Sequence, residues 1–296
     1  MTPWPNFWGG RDARWAIAQG DSLAVLRSLP DACVDAVITD PPYSSGGQYR
    51  GDRTRPPGEK YVLTGTLLER PDFAGDGRDQ RSFAYWVALW LSEALRVAKP
   101  GAPLCVFTDW RQLPSTTDAI QAGGWVWRGL VPWDKTEAIR PAMGRFAAQC
   151  EWLAVASPAG DAVPDSHMTR LFADNEDRDV LVWGSAGGMP TERGVGCLHG
   201  VFRVPLDLND KHHMTGKPVA LMQKVNAICA PGGVILDPFA GSSSTGVAAL
   251  RDGYRFIGIE KTDAYAALSR ERLTAEAAGM PYGAKAQRRG QLTLVG

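Results

Sequence analysis

The sequence predicts an α/β fold, a Rossmann-like, doubly wound and mostly parallel sheet that carries a small irregular insert. Short apolar runs typical of buried strands alternate with helical patterns along most of the 296 residues. Two of these runs, 34–39 and 234–236, each lead into an acid followed by proline. Because ligands bind at the carboxyl ends of strands in open parallel sheets, we expect both clusters to face one site.

The composition limits the class of protein. Lys+Arg and Asp+Glu both number 32, so the formal net charge is zero, and binding to nucleic acid would need a local basic face. The five cysteines show no Cys-x-x-Cys spacing, and no run approaches the roughly 18 apolar residues of a membrane span. We expect a reduced, soluble, cytoplasmic protein without structural zinc.

The first strand–helix unit places polar residues at a strand end. An apolar piece at 15–18 predicts a strand, and leucines at helical spacing predict a helix over 22–29 that Pro30 ends. Asp21 lies between the two elements, with Ser22 directly after it. An aspartate there is either a helix N-cap or a ligand contact, and the residues alone leave both interpretations open.

The strand at 34–39 leads into Asp40-Pro41-Pro42-Tyr43. Two prolines prevent a helix or a continued strand ladder, so the backbone here is stiff. Such a turn suits a flat, nitrogen-bearing substrate: the Asp40 carboxylate and the Pro41 carbonyl can accept hydrogen bonds from an exocyclic amine, and the Tyr43 ring can stack on a base. An ordinary turn is the alternative.

Residues 44–80 form a long stretch rich in glycine, arginine and proline, without periodicity. Loops of this length are uncommon inside compact domains and are usually functional or disordered. We predict either a lid beside the Asp40 turn or a solvated surface loop. As a lid, it would hold phosphates through Arg50, Arg53 and Arg55, and the same role is predicted further along for Lys135, Arg140 and Arg145.

The central part continues the α/β pattern and then loses it. The predicted elements are helices at 82–98 and 113–121 and strands at 103–108, 125–133 and 149–156. From 157 to 209 proline and glycine recur between short strand-like pieces at 180–183 and 200–204. We therefore predict a recognition insert over 157–209, between a front half, 1–156, and a back half, 210–296.

The back half begins with a polar segment and then follows a nucleotide-binding pattern. His212 and His213 invite a metal interpretation, but no Cys, Asp or Glu follows at ligand spacing, so we expect no metal site. The elements predicted after this segment are a helix at 219–230, the strand at 234–236, a small-residue turn at 237–246, a helix at 247–251, a strand at 255–259 and a helix at 264–277.

Glu260 lies 19 residues after Gly241, near the spacing of about 20 by which an acid of a Rossmann-type site meets ribose hydroxyls. The turn departs from Gly-x-Gly-x-x-Gly because Ser243 stands where a second glycine would admit a pyrophosphate. This difference favours a cofactor that has adenosine but no phosphates, such as S-adenosyl-L-methionine.

With both clusters considered, the chain resembles the amino-methylating DNA methyltransferases, in the permuted class often called beta. In that class Asp-Pro-Pro-Tyr precedes the Phe-x-Gly cofactor motif, as 40–43 precedes 239–241 here. Three further segments follow the family's order: Gly20-Asp21, Trp133-Asp134-Lys135 with Gln149-Cys150-Glu151, and His213-Met214-Thr215-Gly216-Lys217-Pro218. The family usually has Phe-x-Gly-Ser-Gly, from which Ser243 departs.

The resemblance implies a methyltransferase fold, S-adenosyl-L-methionine as cofactor, double-stranded DNA as substrate and a homodimer in a bacterial or phage-infected cytoplasm. Methyl transfer to N6 of a flipped-out adenine would use Asp40, Pro41, Pro42 and Tyr43, and the insert would read the target site. The implied cofactor-binding residues are Asp21, Ser22, Asp40, His213, Thr215, Lys217, Pro218, Asp237, Phe239, Ala240, Gly241, Ser242, Ser243, Glu260 and Lys261.

Three other functions compete with this one. Cytosine offers a similar exocyclic amine at N4, although an aspartate at position 40 resembles adenine enzymes more often than cytosine enzymes. A nicotinamide dehydrogenase could use Gly241 and Glu260, but the pyrophosphate glycines are missing. A non-catalytic DNA-binding regulator is disfavoured because Asp40 and Tyr43 are intact.

Overall fold

The computed structural model describes residues 7–9, 14–42, 78–136, 149–158, 198, 200–205 and 216–280. These residues form strands β1 (Phe7–Gly9), β2 (Trp15–Gln19), β3 (Ala36–Thr39), β4 (Leu104–Thr108), β5 (Trp125–Asp134), β6 (Cys150–Pro158), β7 (Phe202–Arg203), β8 (Val234–Asp237) and β9 (Arg255–Glu260). The helices are α1 (Ser22–Leu26), α2 (Gln80–Val97), α3 (Leu113–Ala122), α4 (Val219–Asn226), α5 (Ser244–Arg251) and α6 (Asp263–Ala277).

The strands form one sheet in the order β1-β2-β9-β8-β3-β4-β6-β5-β7. The central strands β2, β9, β8, β3 and β4 pair in parallel. Strand β6 runs antiparallel to β4 and β5, β1 runs antiparallel to β2, and β7 adds to β5 in parallel. The sheet confirms the predicted mostly parallel α/β fold.

Helices cover both faces of the sheet because alternate strand residues point to opposite sides. Along β3, Val37 packs in the core that contains the buried faces of α2 and α3, whereas Ala36 and Ile38 pack in the core that contains α4 and α5. The sheet is thus buried between two apolar layers, as the near-continuous apolar strands predict.

Two predicted helices end earlier than their apolar pattern suggests. Helix α1 stops at Leu26 rather than 29, and α4 stops at Asn226 rather than 230. In both cases the chain continues in tight i to i+3 turns, with the Leu29 amide donating to Leu26 and the Cys229 amide donating to Asn226. Leu29 and Cys229 are buried in these turns. Their helical spacing in the sequence therefore arises from packing against the core and not from a continued helix.

Other element boundaries agree with the sequence to within three residues. Strand β3 begins at Ala36 rather than 34, since Val34 forms an isolated bridge with Ala98, and α5 begins at Ser244 rather than 247. Strand β1 has no counterpart among the predicted elements. Within 200–204 the strand is limited to β7, and the predicted piece at 180–183 lies outside the described residues.

Close packing holds the unit from β8 to β9 together. A Cβ atom on Gly246 of α5 would stand 2.5 Å from the Phe256 ring, and one on Gly258 of β9 would stand 2.5 Å from Ile17 Cδ1. Glycine at position 246 therefore lets α5 lie directly on the Phe256 ring of β9, and glycine at position 258 leaves room for the side chain of Ile17, its partner in β2. Among the described helices, none combines the length and apolarity that a membrane span requires.

Candidate functional site

Four neighbouring parallel strands carry acids at one edge of the sheet. In sheet order, Asp21 follows β2, Glu260 ends β9, Asp237 ends β8 and Asp40 follows β3. The chain runs from β8 to β9 on one side and from β3 to β4 on the other, so strand order reverses between β8 and β3. Ligands bind at such a crevice in open α/β sheets.

The structure brings the two predicted clusters together at this crevice. The Thr39 hydroxyl, next to Asp40, donates to Asp237 Oδ1 at 2.7 Å. The other carboxylate oxygen of Asp237 accepts from the Thr245 hydroxyl at 2.7 Å, and the Phe239 amide donates to Oδ1 at 3.0 Å. Burial raises the pKa of Asp237 to about 6, although these donors act in the opposite direction.

Side chains from two helices hold the carbonyls of the turn after β8. The Ser22 hydroxyl of α1 donates to the Pro238 carbonyl at 2.6 Å, and the Ser269 hydroxyl of α6 donates to the Gly241 carbonyl at 2.6 Å. The Arg272 guanidinium donates to the Ser242 carbonyl at 2.5 Å. The turn therefore has a fixed shape, and Ser22, predicted as a cofactor contact, acts on its backbone.

Ser243 closes the turn in a left-handed conformation, with φ 59° and ψ 43°. A glycine adopts this region without steric cost, whereas a side chain pays for the contact of its Cβ with the backbone. The family's preference for glycine at this position, implied by the resemblance, thus has a backbone reason.

Glu260 is built into the same turn. Its Oε2 accepts from the Gly241 amide at 2.9 Å and its Oε1 accepts from the Thr262 amide at 2.7 Å. Burial raises the pKa of Glu260, against the effect of these donors. The Thr262 hydroxyl and the Lys261 amide act on this pKa in the same direction as these donors.

Asp21 and Lys261 lie beside Glu260 at the rim of the site. Asp21 is the N-cap of α1 and accepts from the amides of Leu23 and Ala24 at 3.2 and 3.4 Å. The Lys261 ammonium lies 3.5 Å from Asp21 Oδ2. The N-cap role is therefore real, and with half of its side chain exposed Asp21 is also accessible to a ligand.

An aromatic wall flanks the turn. The Phe239 ring lies edge-on to Trp86 and Trp90 of α2, with ring centroids 5.3 and 5.1 Å apart. The Arg78 guanidinium lies over the Trp86 ring at 4.4 Å. These contacts fix Phe239, the aromatic residue of the predicted cofactor motif, against the helix.

Four alternating charges occupy the β3 side of the crevice. The Lys217 ammonium lies 2.5 Å from Asp40 Oδ2 and 3.2 Å from Glu151 Oε2. The other oxygen of Glu151, Oε1, lies 2.6 Å from the Lys135 ammonium, and Phe107 presents its ring to Lys217 at 5.0 Å. We call Asp40, Lys217, Glu151 and Lys135 the four-charge chain.

The inner members of the chain are ionised in spite of their burial. Burial by itself would raise the pKa of Glu151, but the ammonium groups of Lys217 and Lys135 hold that pKa below its usual value. Burial by itself would lower the pKa of Lys217, but Asp40 and Glu151 raise it above its usual value. Glu151 and Lys217 are therefore charged because each contacts groups of opposite charge.

Asp134 fixes the end of β5 beside this chain. Its carboxylate accepts from the Gln149 amide group at 2.7 Å, from the Thr136 amide at 2.8 Å and from Arg203 Nε at 2.9 Å. These donors, Gln149 first, lower the pKa of Asp134. The acid of Trp133-Asp134-Lys135 thus joins the ends of β5, β6 and β7, and the neighbouring lysine points to Glu151.

The structure groups part of the predicted set and leaves part outside. The described predicted residues line the crevice or its rim, with Pro41 and Pro42 in the turn after β3 and Pro218 at the N-cap of α4. The predicted residues outside the described part are Tyr43, Arg50, Arg53, Arg55, Arg140, Arg145, His213 and Thr215. Within the described part, no group of three or more His, Cys, Asp or Glu side chains could hold a metal ion.

Sequence reasoning did not assign a role to Glu151. An acid at the start of an apolar strand was the available signal, since a buried carboxylate requires a cationic partner. The partner could not be chosen from the sequence, because Lys217 lies 66 positions away from Glu151 along the chain. For Lys135, predicted to bind DNA, the structure supplies an ion-pair partner within the protein.

Comparison with known proteins identifies a family that this chain matches over most of its length. A family model described as DNA methylase, of the N6/N4 methyltransferases, matches residues 34–271. The putative methylase YubD of Escherichia coli strain K12 is 30% identical over 267 residues, covering 90% of this chain and 93% of that protein.

Solved structures share the fold at lower identity. The Thermus thermophilus protein TTHA0409, a putative DNA modification methylase complexed with S-adenosyl-L-methionine, superposes with a TM-score of 0.54 at 22% identity, covering 89% of this chain and 96% of that one. The PvuII DNA methyltransferase, described as cytosine-N4-specific, gives a TM-score of 0.54 at 15% identity over 90% and 92%. These likenesses confirm the methyltransferase fold.

Proposed function

This chain belongs to the DNA methylase family of N6 and N4 methyltransferases, and we propose that it methylates the N6 amine of adenine at specific sites in double-stranded DNA. Family membership makes it a DNA methyltransferase that uses S-adenosyl-L-methionine, as the sequence predicts. The adenine base, its extrusion from the duplex and the roles of individual residues are the proposed part. The observation that carries them is the position of Asp40 at the crevice, held by Lys217 beside the turn after β8.

The donor set of the site fits the cofactor. We assign the ribose hydroxyls of the cofactor to Glu260, at the end of β9, and its adenine to Asp21, which is accessible at the rim. Asp237, which accepts from two hydroxyls and a backbone amide, places a carboxylate toward the β3 side, where a positively charged group is favoured. When bound, S-adenosyl-L-methionine supplies a methyl group on a sulfonium sulfur, and the turn offers the adenosine room without a phosphate cradle.

The chain's own part in the reaction is to orient the acceptor amine. The Asp40 carboxylate and the Pro41 carbonyl accept hydrogen bonds from the exocyclic amine, which favours a tetrahedral nitrogen with its lone pair directed at the methyl carbon. With the cofactor held by the turn after β8, Glu260 and Asp21, the nitrogen would receive the methyl group as the C–S bond breaks and its electrons stay on sulfur. The nitrogen then gives one proton to solvent, and no covalent enzyme intermediate is needed.

The contact between Lys217 and Asp40 serves this orientation. The Lys217 ammonium contacts Asp40 Oδ2 and so fixes the orientation in which the carboxylate meets an amine. Extruding a base from the duplex costs a few kcal/mol, and orientation of bound reactants contributes roughly 7–11 kcal/mol to catalysis in intramolecular analogies. Stacking of the extruded base on Tyr43 remains a prediction.

The same geometry would serve N4 of cytosine, because both bases carry an exocyclic amine next to a ring nitrogen. The superposition with a methyltransferase described as cytosine-N4-specific keeps this alternative open. Aspartate at position 40 supports adenine, on the resemblance of this motif to adenine enzymes.

The partners follow from the same proposal. We assign phosphate contacts to Arg50, Arg53, Arg55, Arg140 and Arg145, and target recognition to the insert at 157–209. A homodimer in the bacterial cytoplasm, where the DNA lies, completes the proposal.

The test is incubation of the protein with methyl-labelled S-adenosyl-L-methionine and unmodified genomic DNA, followed by nucleoside digestion and chromatography. We expect label in N6-methyladenine. Label in N4-methylcytosine would overturn the base while keeping the activity. A protein that binds the cofactor but leaves both nucleosides unlabelled would contradict DNA as the acceptor.

A further inference from the structure

We propose that Glu151 and Lys135 are positioning residues for methyl transfer, which act through Lys217 to hold the Asp40 carboxylate in its orientation. This inference rests on the proposed function of Asp40. It assigns a role in the reaction to two side chains that belong to the sheet rather than to the substrate or cofactor contacts.

The geometry places all four charges at the catalytic edge. Strand β6 runs antiparallel to β4, so its first residues lie level with the carboxyl ends of β4 and β5: Trp152 pairs with Thr108, and Cys150 pairs with Asp134. Glu151 lies between those two β6 residues, and Lys135 directly follows β5. Both side chains therefore start at the edge where Asp40 emerges from β3.

Lys217 connects these side chains to Asp40. It directly precedes Pro218, the N-cap of α4, and its side chain is 5% exposed. Its ammonium lies between Asp40 and Glu151, with the Phe107 ring 5.0 Å away. Because the same ammonium contacts both Asp40 Oδ2 and Glu151 Oε2, the position of Lys217, and with it that of Asp40 Oδ2, depends on Glu151.

The charges of the chain balance. Two carboxylates alternate with two ammonium groups, so the cluster is neutral, and Lys135 neutralises the Glu151 charge that Asp40 would otherwise meet through Lys217. A buried ion pair is weak evidence for stability, since well-packed apolar residues commonly replace such a pair without loss. Strand β6 is apolar and buried from Leu153 to Ala156, yet it carries a charge at the catalytic edge.

The test compares Glu151→Gln, Lys135→Gln and the double variant with the wild type. Glu151→Gln leaves two ammonium groups and one carboxylate, so we expect kcat to fall by about tenfold or more while KM for DNA and for the cofactor changes less than about threefold. The pKa of Lys217 should also fall once Glu151 is neutral. An alkaline limb should therefore appear in the pH profile of kcat that the wild type lacks up to about pH 9.

The double variant also lacks the Glu151 carboxylate that holds Lys217. Because Lys135 acts through Glu151, we expect Lys135→Gln alone to lower kcat but to lower it no further in the double variant, which should keep the kcat and the alkaline limb of Glu151→Gln. Lys224→Gln, at an exposed lysine of α4, is the matched control and should keep wild-type kinetics. Melting temperatures identify any variant that does not fold. If Glu151→Gln does not fold, Glu151→Asp replaces it. Because Glu151→Asp keeps the charge, we expect it to show the pH profile of the wild type.

Unchanged kcat and pH profile in folded Glu151→Gln would overturn the inference. A double variant in which the two single losses in kcat multiply would also overturn it, because Lys135 would then act independently of Glu151. Neither result touches the proposed function, which fails separately if the wild-type protein transfers no methyl group to DNA.

Discussion

The two sides of the crevice hold their acids by different means. On the cofactor side, hydroxyls and backbone amides donate to Asp237 and Glu260, and burial raises the pKa of both. On the catalytic side, ammonium groups contact Asp40 and Glu151, and the pKa of Glu151 lies below its usual value.

The difference matches what the proposed function requires of each side. Uncharged donors leave the net charge of Asp237 and Glu260 uncompensated, which favours a cationic ligand in the same crevice. Lysines compensate the charge of the other pair, which makes Asp40 a fixed hydrogen-bond acceptor rather than an attraction for cations. One edge of one sheet therefore offers a negatively charged pocket beside an oriented carboxylate whose charge is compensated by a lysine.

The largest expected effect on stability comes from removing the shared cation. Lys217→Met leaves the carboxylates of Asp40 and Glu151 without the ammonium that lies between them. Breaking a buried pair in this way costs about 3–5 kcal/mol of the free energy of unfolding, measurable by urea denaturation. Lys224→Met, at an exposed position of α4, should change stability by less than about 0.5 kcal/mol. A loss below about 1 kcal/mol in Lys217→Met would contradict the claim that this lysine holds the carboxylates of Asp40 and Glu151.

The pH dependence of stability tests the cofactor side. The pKa of Asp237 is about 6 in the folded protein against 3.8 for an unperturbed aspartate, so its ionisation destabilises the folded state. That penalty is absent below pH 3.8 and complete above about pH 6, and the shift corresponds to the order of 3 kcal/mol. Asp237→Asn should therefore gain stability relative to wild type as the pH rises from 4 to 7.

The measurement is urea denaturation of both proteins without cofactor across that range. Asp118→Asn, at an exposed position of α3, serves as the control and should keep a constant difference from wild type. If the difference in the free energy of unfolding between Asp237→Asn and wild type stays constant from pH 4 to 7, the raised pKa of Asp237 is contradicted.

A smaller gain is expected at the end of the turn. Ser243→Gly removes a side chain from a left-handed residue whose buried hydroxyl has no hydrogen-bond partner among the described residues. We expect the free energy of unfolding to rise by about 1 kcal/mol, since the left-handed conformation costs a side chain about that much. The opposite sign is expected for Ser244→Gly, because that residue lies in the first turn of α5. A loss of stability in Ser243→Gly would mean that the hydroxyl supports the turn.

The smallest effect concerns Lys135 and DNA. Its ammonium is paired with Glu151 and its side chain is 15% exposed, so Lys135→Gln should leave the salt dependence of DNA affinity unchanged. A direct phosphate contact would instead reduce the slope of log Kd against log salt concentration by about 1. Fluorescence anisotropy with a labelled duplex distinguishes the two results, and the reduced slope would return Lys135 to the DNA-binding set.

The fold was predictable because its evidence is local. Apolar runs and helical periodicity place most strands and helices within three residues of their observed bounds, and the acids at strand ends follow directly from them. The turn at 237–243 was also predictable, since small residues there follow a strand and Glu260 lies at the expected spacing.

The four-charge chain was not predictable, for a physical reason. Its members come from the ends of three strands and from the residue before Pro218, and periodicity cannot state which lysine pairs with which acid. The antiparallel direction of β6, which brings Glu151 to the catalytic edge, is likewise set by sheet topology. The same limit explains why α1 and α4 were predicted too long: buried residues in the turns after them keep helical spacing.

The most direct test of this account is the single-turnover rate of methyl transfer in Asp40→Ala, with the cofactor already bound. We predict a fall of about a thousandfold or more, because the amine loses its oriented acceptor, while Lys217 keeps Glu151 as a partner and the fold persists. The dissociation constant for S-adenosyl-L-methionine should stay within about threefold of wild type, and Asp118→Ala should react at the wild-type rate. A rate in Asp40→Ala equal to that of the wild type would contradict the account.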